Sequence, residues 1–248
     1  DSKVHIGGNA GKTNQGGFGV SLGWFSGNSN QGDNSVAVGR DSGVTNQGQQ
    51  AVSIGWQAGY TGQSSQAIAI GTYAGYTGQG LNSVAIGRNA LYANTAGNNT
   101  AVGDYTLPNN TSGTYNNAFG SSALNQNTTA SNNTAVGYQA GYSNTTGSNN
   151  TAIGHQAGYS IAVNPQLTAV GAYAALYQTD VNDAFGYQAM RGASGTSTGY
   201  YNVAVGRQSM YSQTTGTSNV AMGMQALYSN TTASNNTAVG YQAGYTNT

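Results

Sequence analysis

The sequence contains no cysteine and no glutamate, only two prolines, and charged residues at 5% of its 248 positions. Without cysteine there is no disulfide framework, no thiolate metal cluster and no thiol nucleophile. The few charges balance to a formal net charge of zero, and the six basic residues, Lys3, Lys12, Arg40, Arg88, Arg191 and Arg207, are scattered along the chain. That distribution leaves no electrostatic footprint for nucleic acid or for an anionic membrane surface. No apolar run approaches the roughly 18 residues of a membrane span, so this segment is expected not to insert into a membrane. The first residues show no signal-peptide pattern, and any such segment is expected to have been removed or to lie outside this chain.

What the sequence has in excess is glycine, with 39 copies, well above the usual share of about 7%. A disordered polar linker shares that composition, but such linkers seldom carry 18 tyrosines or regularly spaced Val and Ile. An apolar residue followed by glycine recurs fifteen times: Ile6-Gly7, Leu22-Gly23, Val38-Gly39, Ile54-Gly55, Ile70-Gly71, Ile86-Gly87, Val102-Gly103, Phe119-Gly120, Val136-Gly137, Ile153-Gly154, Val170-Gly171, Phe185-Gly186, Val205-Gly206, Met222-Gly223 and Val239-Gly240. The glycines stand 16 residues apart through Gly103 and 17 apart through Gly171, followed by intervals of 15, 20, 17 and 17. Such a period is too short for a helix pair and suits one turn of a parallel β-solenoid. The expected fold is therefore all-β, a parallel β-solenoid or β-roll of fifteen coils of 15–20 residues. Residues 1–248 would form one repeat domain, with an irregular insertion near 191–201 in the longest interval.

Columns emerge when the repeats are aligned. The residue before each glycine is bulky and apolar, and the one before that is nearly always Ala, so period-two alternation sets the two on opposite faces of a strand. The bulky column, with Val38, Ile54, Ile70, Ile86, Val102, Val136, Ile153, Val170, Val205 and Val239, is expected to fill the coil interior. The Ala column, with Ala37, Ala69, Ala85, Ala101, Ala135, Ala152 and Ala169, is then expected to form a smooth face for close approach of another chain. A second small column three residues past the glycine, with Ala58, Ala74 and Ala90 among its members, suggests a second strand against the same core. Five residues past the glycine stand Tyr60, Tyr76, Tyr92, Tyr142, Tyr159, Tyr211, Tyr228 and Tyr245. In stacked coils they would form a ladder at about 4.8 Å per step. Such a ladder either locks the register or offers a sticky stripe to glycans or proteins. Asn99, Asn116, Asn133, Asn150, Asn182, Asn202, Asn219 and Asn236 precede the glycine by four residues, where an amide ladder at a turn is expected.

The segments N-S-V-A-I-G-R-N-A at Asn82 to Ala90 and N-N-T-A-V-G-Y-Q-A at Asn132 to Ala140 resemble the head repeat of trimeric autotransporter adhesins of the YadA type, and the resemblance extends through all fifteen units. It implies a left-handed parallel β-roll, three chains packed about a common axis, and a surface that binds host matrix proteins or other cells. Similar repeats occur in phage and prophage tail fibres. The chain departs from the family in its longer coils, its tyrosines, and a polar column three residues before the glycine that reads Thr100, Asn117, Thr134, Thr151, Thr168, Asp183 and Thr237 in later units. No stalk coiled coil or membrane barrel is recognisable within this sequence.

Catalysis would need a nucleophile with a base, paired carboxylates or a metal cluster. His5 and His155 lie nine coils apart and in different columns, so they are expected at the surface or an interface. Asp180 and Asp183 form the closest carboxylate pair, for which an acidic turn is the simpler reading and a calcium site the sharper one. The glycines lack a following Gly-Lys-Ser signature and make no phosphate loop. Sequons at Asn98, Asn109, Asn110, Asn127, Asn132, Asn144, Asn149, Asn230 and Asn235 follow from Asn/Thr-rich turns or mark a glycan-coated fibre. No enzyme, metal or cofactor is expected. The sequence points to an extracellular or cell-surface fibre module, or to a virion fibre. Its expected partner is itself, as a homotrimer or as a filament stacked head to tail through uncapped strand edges, and possible further partners are a host surface protein or a glycan. Ice binding by a flat threonine face is disfavoured by the Val, Asn and Asp that interrupt it.

Overall fold

A computed structural model describes residues 2–161, 166–193 and 197–246. The chain is an all-β parallel β-solenoid of about 14 turns, with no helix among the described residues. Its contacts cluster in two compact units, Asp1–Ser121 and Ser122–Thr248. In the first unit, parallel three-residue strands succeed one another as Val4–Ile6, Val20–Leu22, Val36–Val38, Val52–Ile54, Ile68–Ile70, Val84–Ile86, Thr100–Val102 and Asn117–Phe119. A second parallel ladder joins Thr13–Gln15, Ser29–Gln31 and Thr45–Gln47. In the second unit the strands are Thr134–Val136, Thr151–Ile153, Thr168–Val170, Asn182–Phe185, Asn202–Val205, Val220–Met222 and Thr237–Val239.

Register follows the repeat residue for residue: Val52 pairs Ile68, Ser53 pairs Ala69 and Ile54 pairs Ile70. Asn182 pairs Asn202 across the 20-residue interval, so the added residues leave the ladder unshifted. Of the insertion expected near 191–201, residues 194–196 lie outside the described residues. The motif glycine is a backbone requirement. At Gly71 φ is +124°, and a Cβ there would lie 2.9 Å from the carbonyl of Gly87 in the next coil, so any side chain would both strain the turn and force adjacent coils apart.

The orientation of the strands corrects the expectation for both main columns. Ala37, Ala69, Ala85, Ala101, Ala135, Ala152 and Ala169 point into the coil and are at most 2% exposed, so they are interior residues and no surface for another chain. Val38, Ile70, Val102, Val170 and Val205 point outward and are half-buried, while Ile54, Ile86, Val136, Ile153 and Val239 are exposed. Alternation put the columns on opposite faces, as it must, but the usual preference for bulk inside fails because each coil encloses too little space. The lumen takes Ala from the strand and Ala58, Ala74 and Ala90 from the following turn, all fully buried. Those later alanines lie in a turn, and the second strand, where present, starts three residues beyond them. The polar column of Thr100, Thr134 and Thr151 also faces outward, so it imposes no polar group on the interior.

What fills the remaining lumen is a column that sequence inspection missed. Gln31, Gln47, Gln63 and Gln79 are buried, each eight residues after a motif glycine. Gln63 Nε2 donates to Gln79 Oε1 at 3.1 Å and to the carbonyls of Val52 and Ala67 at 2.9 and 3.1 Å. These coils carry glycine four residues after the motif glycine, and a Cβ on Gly43 would meet Gln47 at 2.9 Å. Elsewhere buried Leu91, Leu107, Leu124, Met190, Met210 and Leu227 occupy that glycine's place. Their partners are mostly the shorter, buried Asn94, Asn110, Asn127 and Asn230. In the Gln31 to Gln79 coils and in most of the Leu and Met coils, one large side chain thus fills this space, supplied from either of two positions, whereas Met210 and Gln213 are both buried in the same coil.

Candidate binding surface

Three further features repeat from coil to coil beside the packed lumen. The first is the outer face of the strands. In the first unit each of the five main-ladder strands from Val20–Leu22 to Val84–Ile86 presents two aliphatic side chains, one on either side of the inward residue, as in Val36 and Val38 or Ile68 and Ile70. Parallel in-register pairing aligns them into two adjacent apolar columns. In the second unit the same face reads Thr134 with Val136, Thr151 with Ile153, and Thr168 with Val170.

The second feature is aromatic. Tyr60, Tyr76 and Tyr92 stack at 5.1 and 5.0 Å with interplanar angles of 13° and 8°. Tyr142 stacks on Tyr159 at 5.1 Å, and Tyr211, Tyr228 and Tyr245 form a third run at 5.0 and 4.9 Å. The ladder column holds Pro108 and Asn125 between the first two runs. Arg191 takes its place before the third, with its guanidinium 5.3 Å from the Tyr177 ring centre and 5.5 Å from that of Tyr211. Burial, then the adjoining rings, hold the Tyr76 and Tyr228 phenols above their ordinary value, and Tyr159 is raised in the same way.

A separate aromatic group lies on the turn after the strand. Trp56 packs on Tyr73 at 5.0 Å and 48°, and Tyr73 stands edgewise to Tyr76 and Tyr92. Arg40 pairs with Asp41 at 3.2 Å, and Arg88 grips Asp104 of the next coil through two hydrogen bonds of 2.9 and 2.8 Å. The Arg88 hydrogen bond holds the Asp104 carboxyl below the usual carboxylate range.

The third feature is amide ladders. The asparagines four residues before the glycine are buried, apart from the half-buried Asn236, and bond from coil to coil: Asn219 Nδ2 donates to Asn202 Oδ1 at 3.1 Å, and the Asn219 N–H donates to the same oxygen at 2.9 Å. Outside, Gln208, Gln225 and Gln242 each donate to the glutamine of the preceding coil at 2.9 to 3.1 Å. The sequons divide by burial. Asn98, Asn109, Asn132, Asn149 and Asn235 are exposed, whereas Asn110, Asn127, Asn144 and Asn230 are buried, which closes them to modification in the folded chain.

The residues considered for chemistry stay apart. His5 is exposed, and His155 lies between the rings of Tyr138 and Tyr173 at 5.2 and 4.9 Å. Burial raises the Asp180 carboxyl, partly offset by the Thr179 hydroxyl, while Asp183 sits on the outer strand face. Among the described residues no group of three or more His, Cys, Asp or Glu could hold a metal ion. No family model, curated protein or solved structure matches the chain.

Proposed function

We propose that the chain is a structural module of an extracellular, cell-surface or virion fibre, that it assembles with further copies of itself, and that it serves contact with another surface and performs no catalysis. The observation that carries this reading is the double column of Val and Ile on the outer strand face of the first unit. Aliphatic side chains held in register on a parallel sheet make contiguous solvent-facing apolar surface, half-buried for most members and exposed at Ile54 and Ile86, and such surface marks an interaction site. The self-contact belongs on this face and not on the Ala column, whose residues are already buried in their own coil. Resemblance of the N-S-V-A-I-G repeats to the heads of YadA-type adhesins and to phage tail fibres supports the same reading, with three copies as the simplest assembly. Native mass spectrometry and electron micrographs of the purified chain test it. Discrete multimers, a trimer foremost, are the expected result, and a monomer that persists at high concentration would overturn it.

A further inference from the structure

The Trp56 group differs from the tyrosine ladder in what it offers a ligand. In the ladder each ring covers its neighbour, so only edges and hydroxyls remain for contact. Trp56 is 45% exposed and tilted away from Tyr73, leaving indole surface open to solvent. Its backbone is fixed on both sides, because the Tyr73 N–H donates to the Trp56 carbonyl at 3.0 Å and the neighbouring Gln57 N–H donates to the Arg40 carbonyl at 3.1 Å. The rings are therefore held in place before any ligand arrives, which lowers the ordering cost of binding.

The charged groups flanking this group are neutralised. Arg40 and Arg88, in the coils before and after those of Trp56 and Tyr73, are each paired with an aspartate. An anionic polymer would find no free positive charge there to displace its counterions, and a cationic one would find no free carboxylate. A pyranose fits the combination: its axial C–H face is apolar and packs on an aromatic ring, while its equatorial hydroxyls bond guanidinium, carboxylate and amide groups in one plane. We propose that Trp56 and Tyr73, rimmed by the Arg40–Asp41 and Arg88–Asp104 pairs, form a platform for a neutral saccharide chain.

This inference rests on reading the chain as a fibre module that contacts a surface, and it names the class of molecule contacted. The test titrates the intact protein with neutral tetrasaccharides of glucose, galactose, mannose and N-acetylglucosamine, read by tryptophan fluorescence and calorimetry. At least one should bind. Trp56→Ala should weaken that binding by about tenfold or more, as expected for an aromatic anchor, with an unchanged melting temperature. Tyr138→Ala, in the second unit, should leave it unaltered, and added salt should have almost no effect. Binding to none of the four, affinity indifferent to Trp56→Ala, or a steep salt dependence with preference for sulfated sugars would each overturn the platform. Native mass measured on the same preparations reports assembly separately, so loss of saccharide binding with multimers intact counts against the platform alone.

Discussion

At the scale of single residues, the interior is a set of hydrogen-bond accounts that close in some coils and not in others. Ser21 Oγ donates to Gln31 Oε1 at 2.8 Å and Ser53 Oγ to Gln63 Oε1 at 2.7 Å. In the coil between them Ala37 stands where the serines do, and Gln47 Oε1 is buried without a partner. Ala37→Ser should therefore stabilise the protein by about 1 kcal/mol, and Ser53→Ala should destabilise it by a similar amount. Denaturant midpoints measure both, and a loss of stability on Ala37→Ser would show that Gln47 is arranged otherwise. The tyrosines supply a pH dependence. Because burial and neighbouring rings raise the Tyr76, Tyr159 and Tyr228 phenols above about 10, the folded state prefers them neutral. Their contribution is full below the ordinary tyrosine value and is lost as pH rises through the raised ones. Ultraviolet titration should show these phenolates forming late, with the melting temperature falling over the same range. A single phenolate transition at the ordinary value with unchanged melting would contradict this.

At the scale of the coil, the strand's inner and outer faces should respond oppositely to charge. Ala69→Asp places an unpaired carboxylate in the closed lumen and should unfold or disorder the neighbouring coils. Ile70→Asp places it on the outer face and should leave the β circular-dichroism spectrum of the chain intact. Equal damage from both would mean that the strand is turned the other way. This pair also marks where the sequence was legible. The motif glycine repeats because the backbone demands it in every coil, so the period and the main strand positions could be read directly; the amide ladder was legible where Asn recurs four residues before the glycine, whereas Ser35, Ala51, Ala67, Ser83 and Leu167 hold that place in other coils. Alternation separated Ala69 from Ile70 but could not say which faced inward, since that depends on lumen width, a property of the whole coil. The Gln31 to Gln79 column was open to reading through its 16-residue period, and its alternation with Leu91 and Leu107 becomes intelligible only as a shared volume. Trp56 and Tyr73 occupy different columns, and only the fold of the turn brings their rings together.

At the scale of the whole molecule, the outer Val and Ile columns are the proposed surface on which copies meet. Interior, ladder and saccharide platform each have residues of their own, so the assembly surface can be altered without touching them. The direct test is the native mass of the wild-type chain beside a variant carrying Val52→Lys, Ile54→Lys and Ile68→Lys, with circular dichroism as the check that the solenoid is formed. A multimer is expected for the wild type and a folded monomer for the variant, because charges on this face would have to be desolvated against another copy. A folded variant that keeps the wild-type mass would contradict it.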